Sequence, residues 1–264
     1  MLLTRLGIDR LWGQDPERAW QVARPVVPLA MRFLAPGYSY GRERIPRSGG
    51  AVLASNHFSA VDPPLIGVHS PRAIYYMAKI ELLEVPIAGD ILRWTGSFAV
   101  RRGESDRDSV RVALWLVREG HIVGMFMEGT RQKFGYPGPV HPGAVMIAMQ
   151  EGVPVIPCGL DTFQWSLSNR RRCAVAFGEP ITLGGLPTTG RGYREGAAVV
   201  EEAILKLWRQ AAQAVADGFP ETLPDGARRA AAPLLPPPRI RGARPWPEEP
   251  WAAGPLGPVF PGRR

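Results

Sequence analysis

The sequence predicts an α/β fold: a central mixed, largely parallel sheet flanked by helices. Three observations carry this expectation. Apolar runs of strand length recur at 51–55, 73–78, 96–100, 121–127, 153–160 and 173–178, several of them continuously apolar, as strands covered on both faces are. Helical patterns lie between and after these runs, the alternation expected of an α/β sandwich. The chain has 264 residues, enough to bury a substantial core as one domain with a tail.

Residues 1–39 read as an N-terminal amphipathic helical segment. Within 14–35, Trp20, Val22, Val26, Val27, Leu29, Met31, Phe33 and Leu34 are interleaved with Arg18, Arg24 and Arg32. A helix of this kind suits a membrane interface, or equally packs on the domain; Pro25 and Pro28 kink or divide it. The domain itself is placed at 40–218. Asp62-Pro63 has the chemistry of a helix start, a capping acid followed by proline at the first helical position. Residues 105–119 form a second helical pattern, with Ser105 as cap and Asp106 and Asp108 at its positive end. Val110, Ala113, Leu114 and Val117 give its apolar face, and Gly120 ends it. A third, at 193–216, carries Val200, Ile204, Leu207, Trp208 and Ala211 at core-facing spacing. From Phe219 to Arg264 Pro, Arg, Ala and Gly dominate without periodicity, which predicts an extended or disordered tail.

The net charge of +8 suits a polyanionic partner: nucleic acid, an anionic bilayer or a phosphorylated substrate. No zinc-ligand spacing and no glycine-aromatic RNA-binding strand is present, so nucleic acid is not the expected partner. Cys158 and Cys173 lie in apolar runs and are expected to be reduced and structural. The four histidines, His57, His69, His121 and His141, are scattered, and no metal or cofactor is expected. No apolar run reaches the ~18 residues of a spanning helix. Met1-Leu2-Leu3-Thr4-Arg5 lacks the apolar core of a signal peptide, so the catalytic part is expected to face the cytoplasm.

Chemistry concentrates where apolar runs end. After 51–55 comes Asn56-His57-Phe58-Ser59-Ala60-Val61-Asp62-Pro63. Five residues apart, His57 and Asp62 do not share a face of one helix, but a loop before a helix lets the carboxylate turn back to the ring. A carboxylate on one ring nitrogen fixes the tautomer and stabilises an imidazolium, leaving the other nitrogen to take a proton from an alcohol. The run 96–100 ends in Arg101-Arg102, whose guanidinium forks suit phosphate. The run 121–127 ends in Glu128-Gly129-Thr130-Arg131. There glycine admits close backbone approach, Arg131 can pair with phosphate, and Glu128 can accept from a substrate hydroxyl or orient an arginine. Val153-Pro154-Val155-Ile156-Pro157 reads mainly as a core strand whose prolines suggest an edge or bulge. Ligands in α/β sheets gather at strand ends, which gives these blocks a common meaning.

A serine-hydrolase alternative rests on Gly37-Tyr38-Ser39-Tyr40-Gly41, a literal Gly-x-Ser-x-Gly. That elbow needs a helix directly after it, and Arg42-Glu43-Arg44-Ile45-Pro46 leaves no room for one.

Taken in order, Asn56-His57 to Asp62, Phe98 to Arg101, Glu128-Gly129-Thr130-Arg131 and Val153-Pro154-Val155-Ile156-Pro157 resemble the four blocks of the glycerolipid acyltransferase family, over about residues 40–180. The resemblance implies a single acyltransferase domain that takes an acyl thioester, acyl-CoA or acyl carrier protein, as co-substrate. The acceptor it implies is a lysophospholipid, foremost 1-acylglycerol 3-phosphate. It places His57 and Asp62 in catalysis, and Asn56, Arg101, Glu128, Gly129, Thr130 and Arg131 in substrate binding. Met127 stands where the family usually has proline, and His141-Pro142-Gly143 replaces a lysine-bearing stretch, so that an anion contact is either missing or taken over by Lys133 or His141. Peripheral association with the membrane is expected through residues 14–35, surface arginines, or both.

Overall fold

A computed structural model describes residues 27–79, 81, 97–100 and 107–232. Its strands are β1 (Gly37–Tyr40), β2 (Ala51–Ser55), β3 (Ile74–Lys79), β4 (Phe98–Val100), β5 (Ile122–Phe126), β6 (Val155–Asp161), β7 (Cys173–Phe177) and β8 (Arg229–Ala231). Its helices are α1 (Asp62–His69), α2 (Arg107–Arg118), α3 (Gly143–Glu151) and α4 (Gly190–Ala216), preceded by a helical segment at 27–34. The strands form one sheet in the order β4-β3-β5-β2-β6-β7-β1-β8. Strands β4, β3, β5, β2 and β6 are mutually parallel; β7 is antiparallel to β6 and parallel to β1, and β8 is antiparallel to β1. The mixed, largely parallel sheet expected from the apolar runs is the observed one.

Strand alternation sorts the core into two layers. On one face Leu53, Ile122, Ile156, Cys158 and Val175 pack with Leu65 and Ile66 of α1 and Met31 of the segment 27–34. On the other, Val52, Ala54, Val123 and Val155 meet α2, α3 and α4 through Leu116, Ile147, Val200 and Ile204. Helix α4 lies so close to β6 that a Cβ at Gly159 would fall 2.2 Å from the Trp208 backbone nitrogen. Both cysteines are free and buried.

The sequence expectation fails at both ends of the domain. Strand β1 lies in a stretch with no apolar run, and its Ser39 is a fully buried strand residue whose Oγ donates to the Ala230 carbonyl at 3.4 Å. Packed inside the sheet, it is no nucleophile elbow. Residues 219–232, expected to begin an extended tail, are instead folded onto the domain. Phe219, Leu223 and Ala227 are buried against Tyr40, Ala176 and Leu207, and β8 pairs with the β1 edge. The Tyr40 hydroxyl donates to the Pro220 carbonyl at 2.9 Å, and Arg44 pairs with Asp225 at 2.9 Å. Long-range partners order this segment, and local composition does not register them. Residues 233–264, the expected helical residues 1–26, and Ser105 and Asp106 of the second helical pattern lie outside the described residues.

Candidate active site

The parallel strands β2, β5 and β6 lie side by side, with Ser55 opposite both Phe126 and Cys158, so their C-terminal ends open on one edge. The residues just beyond these three strands build the site.

Asn56, the first residue beyond β2, is buried. Its Nδ2 donates to the Leu160 carbonyl at 3.0 Å, and its Oδ1 accepts the Leu160 N–H at 2.8 Å. Leaving a buried amide unpaired is costly, and here both ends are matched by one backbone residue. Asn56 therefore pins the end of β2 to β6 through both ends of its amide.

His57 comes next. Its Nδ1 lies 2.8 Å from Asp62 Oδ2, and its ring stacks on Phe126 at 3.9 Å between centroids with planes 18° apart. The side chain is 12% exposed, and among the described residues Nε2 has no hydrogen-bond partner. Asp62 is fully buried. Its Oδ2 also accepts the N–H groups of Phe58 at 2.7 Å and Ser59 at 2.9 Å, and its Oδ1 accepts the Thr162 hydroxyl. Asp62 thus does not cap its own helix. Val61 holds the N-cap position, and the carboxylate of the first helical residue reaches back over the loop before it. Four donors facing an acceptor-only group fix Nδ1–H as the tautomer and leave Nε2 as the basic nitrogen.

The β5 end supplies the second wall. Glu128 is buried, its Oε2 accepting the His57 N–H at 2.8 Å and its Oε1 the Gly138 N–H at 3.0 Å. Burial pushes its carboxyl up to about 7, against the opposing pull of the Gly138 and His57 amides. With both oxygens on backbone, Glu128 brackets the His57 loop to the 128–138 loop. Two further backbone bonds complete the bracket: Gln132 N–H to the His57 carbonyl at 2.8 Å, and His141 N–H to the Met127 carbonyl at 2.7 Å. Gly129 has φ +66, left-handed backbone that favours glycine, and a Cβ there would sit 3.4 Å from the His141 ring. Thr130 and Arg131 are exposed, and among the described residues the Arg131 guanidinium has no ion-pair partner. Arg101 lies outside the described residues, so only one of the two arginines expected to hold phosphate is placed. Val155 and Ile156 of the fourth block are fully buried core.

Two participants escaped the sequence reading. Thr162 follows β6 immediately, and Phe126 closes β5. Strand-end position, the signal that found the other residues, points to both once β6 is known to border β2. Farther under the site, the Tyr76 phenol is buried against Phe126 with ring centroids 5.8 Å apart. Its pKa is held well above the ordinary value by burial, with Cys158 and Asp62 adding to the rise.

Comparison with known proteins places this chain among acyltransferases. A sequence model of the Acyltransferase family matches residues 38–161. The chain is 32% identical over 145 residues to the 1-acyl-sn-glycerol-3-phosphate acyltransferase of Bacillus subtilis, covering 54% of this chain and 72% of that protein. It is 33% identical over 159 residues to the mouse 1-acyl-sn-glycerol-3-phosphate acyltransferase alpha, spanning 55% of each. A Borreliella burgdorferi protein of the same name is 30% identical, with 49% of its length covered. The crystal structure of the 1-acyl-sn-glycerophosphate (LPA) acyltransferase PlsC from Thermotoga maritima superposes with a TM-score of 0.57, over 72% of this chain and 78% of that one, at 23% identity. That likeness establishes the shared fold.

Proposed function

The chain belongs to the Acyltransferase family and is an O-acyltransferase, and from that premise we propose that it acylates the free hydroxyl of 1-acylglycerol 3-phosphate to give phosphatidate. The donor is an acyl thioester, acyl-CoA or acyl carrier protein. The observation that carries the reading is the His57–Asp62 pair at 2.8 Å, buried on the carboxylate side and unpartnered at Nε2.

The acceptor oxygen attacks the thioester carbonyl as its proton passes to His57 Nε2, and Asp62 stabilises the imidazolium so formed. The tetrahedral intermediate then collapses: the C–S bond breaks, the ester stays on the acceptor, and the thiolate departs. A thiol pKa of about 8.5 makes that thiolate a competent leaving group, and the imidazolium can return its proton to it. No acyl-enzyme is formed. Arg131, exposed beside the bracketed loop, holds the acceptor phosphate so that hydroxyl and carbonyl meet in attack geometry; Arg101 is assigned to the same task by sequence alone. Among the described residues no helix is long and apolar enough to cross a membrane. Approach to a lipid acceptor is assigned to the protein surface, on the cytoplasmic side.

The test is a radiolabelled acyl transfer assay on purified protein, with acyl-CoA and acyl carrier protein as donors and a panel of acceptors. Labelled phosphatidate from 1-acylglycerol 3-phosphate, in preference to product from glycerol 3-phosphate or neutral lyso-lipids, is the expected result. Equal rates on phosphate-free acceptors would overturn the assignment.

A further inference from the structure

Three segments, linked in series from the His57 loop outward, share an unusual surface. The loop after β5 is bonded to the His57 carbonyl through Gln132, and it exposes Phe134 and Tyr136, whose rings stack at 6.3 Å. This loop abuts the one after β6, because a Cβ at Gly135 would fall 2.9 Å from the Phe163 ring, which itself packs edge-on to Phe58 at 5.8 Å. The β6 loop is tied in turn to the helical segment 27–34 by a bond from the Trp165 indole N–H to the Leu34 carbonyl at 2.9 Å. Apolar side chains point outward all along this line: Phe134 is 77% exposed, Leu167 68% and Phe33 65%.

An apolar surface that the fold itself leaves uncovered needs an occupant, and charge selects which. Residues 27–36, 130–141 and 162–172 contain no aspartate or glutamate. They do carry Arg32, Arg131, Lys133 and Arg170, all exposed. Large apolar side chains interleaved with exposed cations match the boundary of an anionic bilayer, where rings enter the acyl region and basic groups meet headgroups.

We infer that this rim, built from the loops after β5 and β6 together with 27–34, docks onto an anionic lipid surface with the His57 opening facing the bilayer. A lipid acceptor then reaches Nε2 from the membrane side, without crossing water. That last role rests on the proposed function; the docking does not.

The experiment compares the full chain with Phe134→Ser, Tyr136→Ser and Leu167→Ser combined. Co-sedimentation is measured with vesicles of phosphatidylcholine, with and without phosphatidylglycerol. Binding to the phosphatidylglycerol vesicles should fall by about tenfold or more in the triple variant. Turnover of a vesicle-borne acceptor should fall with it, while turnover of a dispersed short-chain acceptor stays unchanged. Parental binding should weaken with added salt and with omission of the anionic lipid. Undiminished sedimentation of the triple variant overturns the inference, as does equal parental binding to neutral and anionic vesicles. A change of oligomeric state with unaltered vesicle binding also overturns it and makes the rim a contact between copies. Should the triple variant fail to fold, Phe134→Ser alone gives the same comparison. Vesicle binding is read without acyl transfer, so failure of the proposed reaction would leave this result standing.

Discussion

The turns after β2 and after β5 are both short, polar and adjacent, yet they spend their side chains in opposite directions. After β2, the polar atoms of Asn56 and Asp62 face inward onto Leu160, His57, Phe58, Ser59 and Thr162, and one ring nitrogen is left over. After β5, only Glu128 faces inward, and Thr130 and Arg131 stand in solvent. A ring nitrogen held in one tautomer suits the turn where every neighbour is fixed, and the proposed function assigns recognition of a mobile substrate to the exposed turn. The inward Glu128 joins the two, since it holds the His57 backbone from the β5 side.

Substitutions can break this contrast. Asp62→Asn replaces an oxygen with a donor that would face other donors. It is expected to lower turnover by about 10²–10⁴ and to cost about 3 kcal/mol of stability, because the buried loop loses its acceptor. Turnover and denaturant unfolding measured on the same preparation check both, and loss of stability alone would make Asp62 purely structural. Arg131→Ala touches only the outward turn. The acceptor KM should rise about 10–100-fold through loss of a charge-assisted contact, while the unfolding midpoint stays in place. An unchanged KM would remove Arg131 from recognition.

The smallest effect belongs to the bracket. Because the folded state raises the Glu128 carboxyl from 4.5 to about 7, it binds the proton more tightly than the unfolded chain does. Its contribution to stability is therefore fully present below about 4.5 and is lost as the pH rises through about 7. Melting curves across that window should fall with pH in the parental chain and be flatter in Glu128→Gln. Parallel curves would contradict the burial-driven shift.

The same contrast marks what the sequence could reveal. Strands β2, β5, β6 and β7 were legible because burial on both faces forces continuous apolar runs, and α2 and α4 because one buried face imposes helical spacing. His57 and Asp62 were legible because a loop between strand and helix leaves the two side chains few ways to meet. The folding of 219–232 was not, since Tyr40 and Arg44 order it from more than a hundred residues away. The backbone contacts of Asn56 and Glu128 are not legible for a related reason. A polar residue at a strand end looks the same in sequence whether it faces a ligand or a neighbouring backbone amide, and only the partners Leu160, His57 and Gly138 decide it.

At the centre of the proposed chemistry is an unpartnered imidazole nitrogen, held by a buried acid and assigned to take the proton of the acceptor hydroxyl. Single-turnover acyl transfer by His57→Ala, on a thioester donor and 1-acylglycerol 3-phosphate, tests it most directly. The predicted rate is about 10²–10⁴ below the parental one, with an unfolding midpoint shifted far less than in Asp62→Asn. A folded His57→Ala protein that transfers the acyl group at the parental rate would contradict it.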